Sequence, residues 1–284
     1  MNIFIGVLSG NSSASIRNLG YLKKHSFDKT FCIRRIVRDR KFPELLSLVY
    51  TISIMRLFRS VDLCISTNPK WLVILPIFFV IRFNFFIGDP FIGDISRKDN
   101  FFYSLLWRIS LILSRRLIVT APKFAEHLRT TVGRPVELFR RPPFNFPDRP
   151  KYANKPGNIV SVAHFGDLNS DRSKFRLIGR DGGEISLTVF SNSPSSNWKY
   201  SGNDFWCKRI SPNEVVSRAL EFDVILIVMN RQSSQIPGKY YDFTHYPGEV
   251  VVVHEFENFE DSVDCVPDNY RICKIFGDHS EVVI

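Results

Sequence analysis

The chain of 284 residues has five cysteines, and none sits at a metal-binding spacing. Cys32, Cys64, Cys207, Cys265 and Cys273 are odd in number and include no CxxC pair. That excludes a disulfide framework or a zinc module as the organising device. They fit small core residues in a reducing compartment. Long apolar runs are also missing. The longest, Trp71 to Ile81, is too short to span a bilayer and ends at Arg82. The opening residues Met1 to Gly6 lack a basic leader and read as a strand, so no signal peptide is expected. No catalytic triad, nucleophile elbow, metal-ligand cluster, internal repeat or low-complexity tract is visible.

Acidic residues are scarce in the first half. Residues 1–155 carry 26 Lys and Arg against 10 Asp and Glu, a net +16, and the remainder carries 12 against 18, a net −6. A basic half joined to an acidic half fits two domains with different partners. Scattered surface charge is the bland explanation; anionic lipid and nucleic acid are the functional ones.

What is present is an alternation of buried strands and helices. Residues 2–8 read as a strand, followed by the loop Ser9-Gly10-Asn11-Ser12-Ser13 and a helix through Ile16, Leu19 and Leu22. This opens a Rossmann-like domain without the second and third glycines of the dinucleotide fingerprint. Further strands are expected at 31–33, 62–67, 83–87 and 117–120, and helices at 43–59, 71–81, 101–116 and 122–130. Arg34, Arg35, Arg38, Arg40 and Lys41 form a basic cluster. Ile87-Gly88-Asp89-Pro90 makes a strand-end loop in which Asp89 is either a turn residue or an exposed functional carboxylate. Pro142, Pro143, Pro147, Pro150 and Pro156 mark a boundary. The expected organisation is a domain at 1–145, a Pro-rich linker at 146–157 and a second domain at 158–284.

The second half restarts the pattern. A strand is expected at 158–162, a loop at Ala163-His164-Phe165-Gly166-Asp167-Leu168, and a basic helical start over 171–178 containing Arg172 and Lys174. These two cations read as a solvated helix face or as neutralisers of a diphosphate. Strands follow at 185–190 and 206–210. Ser211 and Glu214 form a capping box ahead of a helix. The richest stretch comes next: a buried strand at 222–228, a polar loop containing Ser234, then Gln235-Ile236-Pro237-Gly238-Lys239-Tyr240-Tyr241-Asp242-Phe243, the turn Pro247-Gly248-Glu249, and a second buried run Val250 to Val253. Strand, loop, short helix and strand is a crossover unit of a parallel sheet. Ligands bind beyond the carboxyl ends of such strands. Pro237 suits a first helical turn, Gly238 and its neighbours offer free N–H groups, Lys239 can contact phosphate, and Asp242 can accept from ribose hydroxyls. His164 and His245 are the histidines near this stretch, and a lone histidine is more often structural. A last strand is expected at 270–276.

The segment Phe222–Val253, with its Ile-Pro-Gly-Lys-Tyr-Tyr-Asp-Phe core, resembles the donor-binding region of GT-B glycosyltransferases of the retaining bacterial branch that builds capsule, O-antigen and exopolysaccharide. The turn Val162-Ala-His-Phe-Gly-Asp-Leu168 with Arg172 resembles that family's first loop of the second domain, and Ile87–Pro90 its Asp loop. Asp242 stands where the family carries Glu, and Ser234 where it carries an acidic partner. The resemblance implies an α/β protein of two Rossmann-like domains, the second shortened. It implies sugar transfer from a nucleotide-diphospho-sugar to a saccharide or lipid-linked acceptor, with no metal and no other cofactor. Asp89, Arg172 and Lys239 would be catalytic. Gly166, Lys174, Ser234, Pro237, Gly238 and Asp242 would bind the donor. The basic domain would sit on the anionic inner face of the cell membrane as a peripheral cytoplasmic protein, with no nucleic-acid partner. A non-catalytic GT-B-like module assisting a transferase is the alternative, and a basic nucleic-acid-binding protein a more distant one.

Overall fold

A computed structural model describes residues 2–6, 8, 13–32, 46, 48–50, 53, 62–66, 82–87, 101–140, 142–147, 159–168, 174–192, 203–229, 236–257, 259–260, 263–276 and 280–284. The chain divides into two compact units, Met1–Arg141 and Pro142–Ile284. Each is built on a six-stranded, wholly parallel sheet. The fold is therefore α/β with two Rossmann-like domains, as the alternation of elements requires.

In the first unit the strands are β1 (Asn2–Gly6), β2 (Lys29–Cys32), β3 (Asp62–Ser66), β4 (Phe83–Ile87), β5 (Ser114–Val119) and β6 (Val136–Leu138), in the order β2-β1-β3-β4-β5-β6. Successive side chains point to opposite faces, so runs that are apolar throughout must be covered on both sides. One face carries Ile3, Ile5, Leu63, Ile65, Phe83, Phe85, Leu117 and Val119; the other carries Phe4, Cys64, Phe86 and Ile118. Helices α1 (Ser13–Lys24), α2 (Phe101–Leu113) and α3 (Pro122–Val132) connect the strands. Helix α2 ends three residues earlier than its apolar periodicity predicts, because Ser114 and the two arginines after it enter β5 beside Phe83 and Asn84. The basic cluster at 34–41, the segment 71–81 and Asp89 lie outside the described residues, as does most of the 43–59 stretch; its described residues are helical.

In the second unit the main sheet contains β7 (Ile159–Phe165), β9 (Glu184–Ser191), β10 (Asn203–Lys208), β11 (Val224–Val228), β12 (Glu249–His254) and β13 (Tyr270–Lys274). The order is β10-β9-β7-β11-β12-β13. Helices α4 (Pro212–Ala219) and α5 (Gly238–Asp242) lead into β11 and β12. The capping box holds: Ser211 N donates to the Glu214 carboxylate at 2.8 Å. Phe144 and Phe146 pack on this unit, Phe146 stacking on Phe243 at 5.9 Å, and Phe144 N donates to the Asp242 carbonyl at 2.9 Å.

Three sequence expectations change here. Within the stretch expected as a helical start, the described part is not helical: Phe175–Ile178 forms strand β8. Phe175 and Leu177 are buried and Arg176 exposed, a two-residue period. Its partner, β14 (Ser280–Val283), comes from the far end of the sequence, so no local signal marks the pairing. The 270–276 strand is consequently not the last. Strand β7 also runs three residues past its predicted end, which makes Ala163, His164 and Phe165 buried strand residues rather than loop. Among the described residues no α-helix follows β12, and none is long and apolar enough to cross a membrane.

Candidate functional site

The second sheet reverses its direction of winding between β7 and β11, and the crevice beyond the carboxyl ends of such neighbours is where Rossmann-like sheets take ligands. Here the ladder between the two strands is also short. Their ladder holds only Val224 opposite Val162 and Ile225 opposite Ala163. On the outer sides, β7 stays paired with β9 to Phe165–Phe190, and β11 with β12 to Val228–Val253. The backbone ladder is therefore interrupted only between β7 and β11. Below it, Asp223 closes the amino end: its carboxylate accepts from Ser161 N at 3.0 Å and from Ser161 Oγ at 2.5 Å.

Gly166 forms the turn that leaves β7. Its φ of +138° is a conformation other residues rarely adopt, and a Cβ there would stand 1.9 Å from Lys239 Nζ. The ammonium of Lys239 thus lies directly over the glycine. This turn is fastened to β9 on both sides. Gly166 N donates to the Phe190 carbonyl at 2.9 Å, and Asn192 N donates to Asp167 Oδ1 at 3.0 Å. The other Asp167 oxygen lies 4.0 Å from Arg209, which follows β10. A carboxylate, a cation and a rigid glycine turn therefore line this edge beside Lys239. Phe165 stacks between Phe190, at 4.9 Å, and Phe243, at 5.7 Å, which ties the turn to the segment after α5.

Helix α5 is only one turn long. Pro237 is its N-cap, with ψ 145°, rather than a first-turn residue, and Gly238 begins the helix. So short a helix has a small dipole, and any affinity for phosphate rests on the Lys239 ammonium and exposed backbone N–H groups. The helix is anchored by Tyr240, whose hydroxyl donates to the Cys265 carbonyl at 2.8 Å, while Tyr270 Oη donates to the Tyr240 carbonyl at 2.5 Å. Burial pushes both phenols well above their ordinary range, with Asp242 adding to the effect at Tyr270. They stay protonated donors.

Of the sequence-predicted residues, the fold brings together Gly166 and Lys239, with Pro237 and Gly238 adjacent. Asp242 lies three residues after Lys239 on the same helical face, one turn further along. Lys174 immediately precedes strand β8, so the premise of a cation at a helix start no longer applies to it. Arg172 and Ser234 lie outside the described residues, like Asp89. His245 is exposed, whereas His164 is 1% exposed. Asp167, Asn192 and Arg209 were not anticipated as neighbours. Only the position of each at the end of a strand could have signalled them.

No protein-family model matches the chain, and no curated protein matches it. Among solved structures, the apo form of the lipopolysaccharide outer core galactosyltransferase WaaB aligns with 89% of this chain and 80% of its own, at 11% identity and a TM-score of 0.49. A likeness at that level carries no functional weight; the two Rossmann-like units rest on their own strand orders.

Proposed function

We propose that the protein is a GT-B glycosyltransferase that moves a sugar from a nucleotide-diphospho-sugar to a saccharide or lipid-linked acceptor in bacterial surface polysaccharide synthesis. The observation that carries this reading is the Lys239 ammonium held over Gly166 at the strand switch point of the second unit. A nucleoside diphosphate leaving group gathers negative charge as the glycosidic bond breaks. A fixed cation in that position stabilises the charge more in the transition state than in the ground state. Gly238 and Pro237 would border the diphosphate, and Asp242 would take the ribose hydroxyls. Arg172, Ser234 and Asp89 keep the donor-binding and catalytic roles that the family resemblance implies, and Lys174 would reach the diphosphate from the loop before β8 rather than from a helix start. The first unit would take the acceptor at an anionic membrane surface. Leu105 and Ile112 of α2 are exposed beside the exposed Arg108, a combination suited to a lipid interface.

Thermal-shift measurements with UDP, GDP, ADP and their sugars on the wild type and on Lys239→Ala test the reading. A nucleoside diphosphate should raise the wild-type Tm and leave the variant nearly unmoved. If none stabilises the wild type, the transferase reading fails. Binding without nucleoside diphosphate release would instead select the non-catalytic module. Strongly salt-dependent oligonucleotide binding alone would select the nucleic-acid partner.

A further inference from the structure

We propose that the outer edge of β10 is a dimerisation surface, on which β10 of a second copy of this chain pairs antiparallel about a two-fold axis through Trp206.

Strand β10 ends the second sheet on one side, and among the described residues no strand pairs with its outer edge. Such an edge presents N–H and C=O groups that a further strand can take up. It also carries two neighbouring aromatics. Phe205 is 57% exposed and Trp206 45% exposed. Successive residues of a strand face opposite sides of the sheet, so apolar surface is open on both faces at once. A packed helix covers one face only. A further strand extends both, so the surface fits a strand.

One bond fixes which residues can meet that strand. Arg209 N donates to the Ser191 carbonyl of β9 at 2.9 Å. Alternate residues of a strand turn their N–H and C=O to the same edge, so Asn203, Phe205 and Cys207 face β9 as Arg209 does. Asp204, Trp206 and Lys208 therefore face outward. In an antiparallel pair, two residues directly opposite either both face each other or both face away. That rules out Phe205 opposite the partner's Trp206. It permits two-fold axes centred on a residue of the strand.

Charge selects among these registers. Centring on Asp204 sets two carboxylates against each other, and centring on Lys208 sets two ammonium groups. Centring on Phe205 or Cys207 leaves both charges opposite uncharged residues. Centring on Trp206 sets Asp204 opposite the partner's Lys208 at both ends of the pair, a favourable cross-strand contact made twice. The sequence Asn203-Asp204-Phe205-Trp206-Cys207-Lys208 is thus self-complementary about its indole, as an isologous interface requires. Asp204 also interacts within its own chain, and an ionised carboxylate accepts from more than one donor. Trp206 Nε1 donates to Ser191 Oγ at 2.9 Å, which holds the indole in place before association. On the opposite face Phe205 meets Cys207 of the partner subunit.

Sedimentation equilibrium of the full-length protein tests the proposal. The wild type should show a concentration-dependent monomer–dimer equilibrium in the micromolar range. Asp204→Lys sets like charges opposite each other at both ends and should weaken the dimer about tenfold or more, with unchanged circular dichroism. Asp204→Lys combined with Lys208→Asp restores opposite charges and should return the dimer to within about threefold of the wild type. A wild type that stays monomeric overturns the proposal; the charges then only blunt the edge, or the edge serves a different protein. A dimer that Asp204→Lys leaves intact, or that the double exchange fails to restore, overturns it as well.

A crosslink reads the register. Phe205 and the partner's Cys207 form a non-hydrogen-bonded pair, with Cα atoms about 4.5 Å apart and within disulfide reach. Mild oxidation of Phe205→Cys should give a covalent dimer on a non-reducing gel, and adding Cys207→Ala should remove most of it. Equal crosslinking with and without Cys207, or none in Phe205→Cys, overturns the axis through Trp206.

Discussion

Replacing Gly166 by alanine separates the two properties of the turn, its backbone conformation and its contact with Lys239. The added Cβ would lie 1.9 Å from Lys239 Nζ, and the φ of +138° is unfavourable for any side chain. The lysine is long and can swing aside at little packing cost, so the folding penalty comes from the backbone, about 2 kcal/mol. In a unit of this size that lowers Tm by roughly 6–8 °C. Displacing the ammonium costs the ligand a charge-assisted contact, about 2 kcal/mol, or roughly thirtyfold in Kd. At a nucleoside diphosphate concentration 100 times the wild-type Kd, ligand stabilisation is about 2.7 kcal/mol; a thirtyfold weaker site retains about 0.9 kcal/mol. Scanning calorimetry with and without ligand reads both effects in one experiment. Combining Gly166→Ala with Lys239→Met completes the cycle: the backbone penalty should persist, while the affinity loss should not increase beyond that of Lys239→Met alone. A folded Gly166→Ala protein that binds as tightly as the wild type would refute the placement of Lys239. So would additive losses of affinity.

Three further outcomes follow from described contacts. Asp223→Ala removes the carboxylate that ties Ser161 to the start of β11, and urea denaturation should show a loss of about 2 kcal/mol; an unchanged midpoint would mean that the tie contributes nothing. Phe146→Ala removes rings stacked at Phe243 and edge-on to Tyr246, and should cost about 2 kcal/mol in the second unit while leaving the first unit's melting unaltered. His254 is 3% exposed, and burial, with Lys274 nearby, holds its pKa below the usual value of 6.5. The unfolded chain therefore takes up this proton first. The contribution of His254 to stability is complete above about pH 6.5 and declines as the pH falls from there towards the folded-state pKa. Denaturation midpoints at pH 8 and pH 5.5 should differ more in the wild type than in His254→Gln; equal differences would exclude His254 as the source.

The parallel strands were legible because a strand covered on both faces must be apolar almost throughout. Val224–Val228 and Val250–Val253 show that signature without any neighbour in view. The capping box at Ser211 and Glu214 was equally legible, since its two partners are three residues apart. The proline-rich stretch that begins at Pro142 also stands out in the sequence. By contrast, 175–178 reads as part of a helical start because its real partner, β14, is supplied by residues 280–283, and no local pattern encodes a pairing over that separation. Strand β7 read short for a related reason. His164 is polar, and only the opening between β7 and β11 gives its ring a carbonyl to bond and thus a place inside.

Gly166 and Lys239 were each suspect on residue type: a glycine after a strand, and a lysine after a Pro-Gly pair. Sequence alone could not place them together. Their meeting depends on β11 docking beside β7 with β8, β9 and β10 intervening in the chain, and on α5 being short enough to leave the lysine at the carboxyl edge. Local sequence marks most of the elements and all of the chemical types available. The tertiary structure decided which of those groups share a space, because strand order is set by packing between distant segments, and the ligand crevice exists only where that order reverses.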